Sequence, residues 1–189
     1  MSTNTRLYNS HLRKLEKFVR RLLGNRNKGP AAMWRFQTDL IDYQLKIRNV
    51  SNSAKKKKEG IKAKIVTQSK RKRKGWKERI QKLQGEIEQL ETRLDLLQRI
   101  LIRARHVGDA LAYLFFKGEE KWLAPLGNNS SNELPDNEIS LKAVLRVAEG
   151  FSIAGAGYPL IHDATNCLRV GDITFCDITN LDDNPLTVK

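Results

Sequence analysis

Residues 80–101, IQKLQGEIEQLETRLDLLQRIL, place Ile80, Leu83, Ile87, Leu90, Leu94, Leu97 and Leu101 at alternating steps of three and four. That spacing stacks seven aliphatic side chains on one stripe of a helix, the a/d pattern of a coiled coil. A strand, whose side chains change face at every residue, has no use for it. Such a stripe needs an apolar partner, and the chain upstream supplies two candidates. Pro30 suits a first helical turn, and the seam after it runs Met33, Phe36, Leu40, Tyr43, Ile47, Val50, Ala54, then thins through Lys57, Ile61 and Lys64. Nearer the N-terminus, Tyr8, Leu12, Leu15, Val19 and Leu22 form a shorter seam that stops at Gly24-Asn25.

Folding the second and third segments back on each other near Gly75 brings Ile61 opposite Ile87 and Ala54 opposite Leu94. The alternative, a parallel homodimer through the third segment, sets Glu86 against Glu91 and is disfavoured by that like-charge pairing. The expected fold is therefore mainly α. It comprises a long antiparallel helical hairpin or coiled coil across residues 1–118, a linker at 119–138, and a small α/β segment at 139–189. The heptad seams also leave room for a homo-oligomer or a partner helix.

Charge is distributed as unevenly as hydrophobicity. The 189 residues carry a net charge of +14. Residues 55–82 hold 14 Lys and Arg against two Asp and Glu, whereas 119–189 hold five against 11. The basic stretch is Lys55, Lys56, Lys57, Lys58, Lys62, Lys64, Lys70, Arg71, Lys72, Arg73, Lys74, Lys77, Arg79 and Lys82, with Trp76 beside it. On a helix these cations point in all directions. Cations this dense repel one another unless counterions or phosphates neutralise them. A phosphate backbone needs little more than closely spaced positive charge, because each neutralised phosphate releases condensed counterions. The expected partner is nucleic acid, bound without sequence preference, with Trp76 stacked on a base or packed into the hairpin. An acidic protein, a membrane surface or a merely solvated helix tip are the other readings. No recognition-helix or aromatic-sheet motif separates DNA from RNA.

Compartment follows from smaller signals. MSTNTRLYNS lacks the apolar core of a signal peptide, and no window approaches 18 consecutive apolar residues. Cys167 and Cys176 have no His or Cys at metal-ligand spacing and read as reduced strand residues. These point to a soluble cytoplasmic protein. In a eukaryote, Lys70–Lys74 would also serve as a nuclear localisation signal.

Towards the C-terminus, Leu114, Phe115 and Phe116 are expected to be buried. Ile139–Glu149 reads as a short amphipathic helix ended by Gly150, with Leu141, Val144, Leu145 and Ala148 inward. Residues 167–178, CLRVGDITFCDI, read as a hairpin turning at Gly171-Asp172 or as one bent strand. Asp182–Pro185 is a turn, and Leu186-Thr187-Val188 begins another strand.

This helix–strand–turn–strand order, with Gly171-Asp172-Ile173 and Lys189, resembles the opening of a PD-(D/E)xK nuclease core over about 50 residues. In that family two carboxylates on adjacent strands hold Mg²⁺, which suits a hard, oxygen-seeking ion, and a Lys positions the attacking water. The resemblance implies Asp172 as a metal carboxylate and catalytic residue, and Lys189 as the motif Lys. Thr187 stands where the second acid belongs. Either the site is degenerate, or the sequence stops a few residues short of the true acid-x-Lys. The bland reading of Asp172 is a hairpin-turn residue.

Other motifs carry less. Gly155-Ala156-Gly157 lacks G-x-G-x-x-G spacing and reads as an apolar loop. His106 and Asp109 share a helix face as a surface pair. His162 and Asp163 would sit on opposite faces of a strand. The leading expectation is a nucleic-acid-binding helical protein. A Mg²⁺-dependent endonuclease with an incomplete core is the alternative, and a coiled-coil scaffold the third.

Overall fold

The computed structural model describes residues 3–25, 28–71, 75–116, 138–153, 157–165 and 173–176, with the side chains of Thr3, Arg71, 138–141, 151–153 and Asp163 left aside. Four helices and one two-stranded antiparallel sheet make up the described elements. They are α1 (Thr3–Asn25), α2 (Pro30–Arg71), α3 (Trp76–Phe115), α4 (Glu138–Ile153), β1 (Tyr158–Ile161), a 3₁₀ turn at His162–Ala164, and β2 (Ile173–Cys176). The fold is mainly α, with a helical hairpin and a small α/β part, as the periodicity implied.

Glycine marks the α1–α2 and α2–α3 connections. Gly29 and Gly75 adopt φ of 82° and 73°, values that cost a Cβ-bearing residue energy and glycine almost nothing. Each then accepts the first hydrogen bond of the following helix, from Met33 N–H and Arg79 N–H at 3.4 Å. Pro30 occupies the first position of α2, where its missing N–H costs nothing.

The chain divides into two compact units that share the long helices: Met1–Leu12 with Lys46–Leu101, and Arg13–Leu45 with Ile102–Lys189. In the first unit Ala54, Ile61 and Leu90 are buried, and Ile65, Leu83, Ile87 and Leu94 pack on them half-buried. With only residues 72–75 between the helices, shared packing of this kind requires α2 and α3 to run antiparallel. Ile61 and Ala54 thus join Ile87 and Leu94 in one cluster, as the heptads indicated.

The α2 stripe differs from the one expected. Val50 is 41% exposed, and Lys57 and Lys64 face solvent. The inward row is Ile47, Ser51, Ala54, Lys58, Ile61, Ile65 and Gln68, each buried or half-buried. Both rows share Ile47, Ala54 and Ile61. The observed one gains the burial of Ile65 and lets the aliphatic stem of Lys58 lie along the seam with its ammonium at the edge.

In the second unit α2 is buried over most of its circumference. Met33, Phe36, Leu40, Ile41, Tyr43 and Leu45 are all in the core. Phe18 of α1 meets Phe36 edge-on at 6.0 Å between centroids and Tyr43 at 5.5 Å. On another side Ile41 and Leu45 join Ala148 of α4 and Ile161 and Ala164. Val19, expected in the α1 seam, is 43% exposed, whereas Leu15 and Leu22 are buried. α4 runs on through Gly150 to Ile153, because a glycine inside a helix weakens it by only about 1 kcal/mol and does not end it.

The sheet has a partner the sequence did not suggest. β2 pairs with Tyr158–Ile161, in the register Tyr158↔Cys176 to Ile161↔Ile173, and Gly171 and Asp172 lie outside the described residues. β1 is buried along its whole length, so it shows no polar alternation to read. His162 and Asp163, which in a strand would point to opposite faces, form the turn that follows it. The turn is closed by Thr165, whose N–H and Oγ1 both donate to the His162 carbonyl at 2.9 Å.

Candidate nucleic-acid interface

The described part of the basic stretch lies on the C-terminal half of α2 and the N-terminal turns of α3, within the first unit. Helix α2 carries the cations because Lys is a good helix former and each ammonium reaches water on a long stem. Lys55, Lys56, Lys57, Lys62, Lys64, Lys70, Lys77, Arg79 and Lys82 are exposed. Lys58 is held back, its side chain 21% exposed and its Nζ 3.5 Å from Glu91 Oε1 across the hairpin. Lys62 reaches Glu59 at 3.0 Å. Each pair contributes less than about 1 kcal/mol at such exposure.

The remaining eight exposed cations, Lys55, Lys56, Lys57, Lys64, Lys70, Lys77, Arg79 and Lys82, have no carboxylate within ion-pair distance among the described residues. Trp76 opens α3 half-buried. The side chain of Arg71 and all of Lys72, Arg73 and Lys74 lie outside the described residues.

Compared with family models, with curated proteins and with solved structures, the chain matches none. Function therefore has to be read from the chain's own chemistry.

The other candidate site is bounded only in part. Asp172 directly precedes β2 in sequence, and it and Lys189 lie outside the described residues. No cluster of three or more His, Cys, Asp or Glu that could hold a metal occurs among the described residues. His106 is exposed, and Asp109, three residues on, is half-buried. No helix among the described residues is long and apolar enough to cross a membrane.

Several polar groups with structural roles escaped the sequence reading. The buried Gln37 carboxamide donates to Pro159 O at 2.8 Å and accepts from Ile161 N–H at 3.1 Å, so a helix side chain completes the β1 edge as a neighbouring strand would. Pro159, which has no N–H, suits that outward edge. Gln44 donates to Ala164 O at 3.1 Å. His162 Nε2 shares a 2.6 Å hydrogen bond with Thr174 Oγ1 across the sheet. The one available signal was two glutamines seven apart inside an apolar helix.

Burial also sets the titration of three groups. It pushes the Cys176 thiol up to about 12 and the Tyr43 phenol up to about 12. The Tyr158 phenol moves up as well, through burial first and the neighbouring Cys176 second. Tyr158 is stacked on Phe115 at 4.2 Å. None of the three has the lowered pKa of an activated nucleophile.

Proposed function

We propose that this protein binds nucleic acid through the cationic half of its α2–α3 hairpin, by phosphate neutralisation and without sequence preference. The observation that carries this reading is the set of eight exposed cations on Lys55–Lys82 with no carboxylate partner among the described residues.

The test is a fluorescence-anisotropy titration of the full chain with a mixed-sequence duplex between 50 and 200 mM salt. If six phosphates are neutralised, log K falls against log salt with a slope of about −5. Affinity that is flat across this range would sink the reading. Scrambling the duplex sequence is expected to change affinity less than twofold.

A second reading, a Mg²⁺-dependent nuclease of the PD-(D/E)xK type, draws support from the order of α4, β1 and β2 with Asp172 at the threshold of β2. Its test is Mg²⁺-dependent nicking of a supercoiled plasmid that Asp172→Asn abolishes. Nicking that persists in that variant removes Asp172 from any catalytic role.

A further inference from the structure

We infer that the hairpin presents phosphate to one of its two broad faces, the face bearing Lys57, Lys64, Arg79, Lys82 and Arg93, while the other face is neutralised from within. This rests on the proposed nucleic-acid binding and adds to it where the polyanion lies.

The two faces follow from the seam. Ala54, Ile61 and Ile65 of α2 meet Leu83, Ile87, Leu90 and Leu94 of α3, so residues to either side of these rows belong to opposite faces. The Lys58–Glu91 ion pair crosses the seam on one side and labels that face. At about 100° per residue, Lys55, Lys58 and Lys62 form one row of α2, in steps of three and four, on the labelled face. The corresponding row of α3 is Lys77, Gln84, Glu88, Glu91 and Asp95. Glu59 also reaches Lys62 from the outer side of this row. Acids and bases are therefore about equal there, and the ion pairs Lys58–Glu91 and Lys62–Glu59 both lie on it.

The opposite face has a different composition. Lys57 and Lys64 flank Ile61 on its other side, seven residues apart. On α3 the row reads Arg79, Lys82, Glu86, Gln89, Arg93. Glu86 is the one acid in it and is half-buried, and Glu78 lies outward of Lys82 near the tip. None of the five cations makes an ion pair among the described residues, and all five are exposed. Arg93 lies outside the obvious basic stretch and joins it only through the antiparallel packing.

Pairing Lys58 with Glu91 fixes the order of charges from the tip as Arg79, Lys82, Lys64, Lys57, Arg93. Arg79 and Arg93 are 14 residues apart, a rise of about 21 Å. That is the length of about six base pairs at 3.4 Å each along one strand. A rod with cations on one broad face and balanced charge on the other binds a polyanion side-on, with phosphates along the unbalanced face.

Two triple variants of the full chain remove equal charge from the two faces: Lys57→Gln, Lys64→Gln, Lys82→Gln, and Lys55→Gln, Lys62→Gln, Lys77→Gln. All six residues are exposed, so urea midpoints should match the parent and show that folding is intact. Against a 20-base-pair duplex, the first variant is expected to bind at least tenfold more weakly, with a salt slope shallower by about three. The second, which also removes two unpartnered cations, Lys55 and Lys77, should weaken binding as well, but by at least threefold less than the first. Equal losses, or a larger loss from the second variant, would overturn the one-face arrangement while leaving nucleic-acid binding intact. Failure of the parent chain to bind the duplex at all would instead remove the proposed function and this inference with it.

Discussion

Gly108 of α3 lies directly against the Ala164 carbonyl, so close that a methyl group on Gly108 would occupy the space of that oxygen and its carbon. Ala104 and Ala112, four residues to either side, are fully buried, and the three small residues form a flat strip on the helix. The turn after β1 is seated at its centre. Replacing Gly108 by Ala forces backbone apart from backbone and is expected to destabilise the fold by about 2 kcal/mol or more. Gly60 is also helical, but nothing lies within 4 Å of a Cβ there, so Gly60→Ala should stabilise by about 0.5–1 kcal/mol. Urea midpoints of the two variants moving in the same direction would contradict this account.

Gln37→Leu keeps size and burial but leaves the Pro159 carbonyl and the Ile161 N–H without partners. Two buried orphan groups predict a loss of about 2–4 kcal/mol. Gln44→Leu orphans only the Ala164 carbonyl and should cost about 1–2 kcal/mol. Chemical denaturation ranks the two. A Gln37→Leu variant as stable as the parent would show that water replaces the lost bonds.

Alkaline pH should weaken the fold. Cys176 and Tyr43 hold their protons to about 12 when folded, against ordinary values of 9.0 and 10.0. Unfolded chains ionise first, so the stability from these groups is complete below pH 9 and is lost as pH rises towards 12. The urea midpoint at pH 10.5 is expected to lie below that at pH 8. Cys176→Ala removes one ionising group and should shrink the difference. For the same reason the Cys176 thiol should resist iodoacetamide at pH 8.5 until urea unfolds the chain, as peptide mass spectrometry would report.

Tyr158 carries a buried hydroxyl with no hydrogen-bond partner among the described residues. Tyr158→Phe keeps the ring stacked on Phe115 and removes the stranded group. Thermal unfolding is expected at the same temperature as the parent or a few degrees higher, in line with about 1 kcal/mol gained. A clear drop in midpoint would mean that the hydroxyl is satisfied in solution.

The hairpin was legible in the sequence because seven aliphatic residues at heptad spacing and a glycine at the turn are strong, local signals. The α2 stripe was less so. Rows through Lys57 and Lys64 or through Lys58 and Ile65 share three members, and only packing against α3 chooses between them. β1 was missed because Tyr-Pro-Leu-Ile is buried on every side, so it lacks alternation, and its proline argues against a strand until Gln37 occupies its outer edge. Arg93 was invisible as part of the basic face for a related reason: it is brought beside Lys57 by the fold, 36 residues away in sequence.

Because the carboxamide of Gln37 stoppers one side of β1, the small sheet can be extended in one direction only. Any strand that enlarges it, from this chain or another, has to zip onto Ile173–Cys176, where no strand lies alongside among the described residues. A helix side chain 122 residues upstream of Pro159 thus decides the side from which the sheet is open to recruitment.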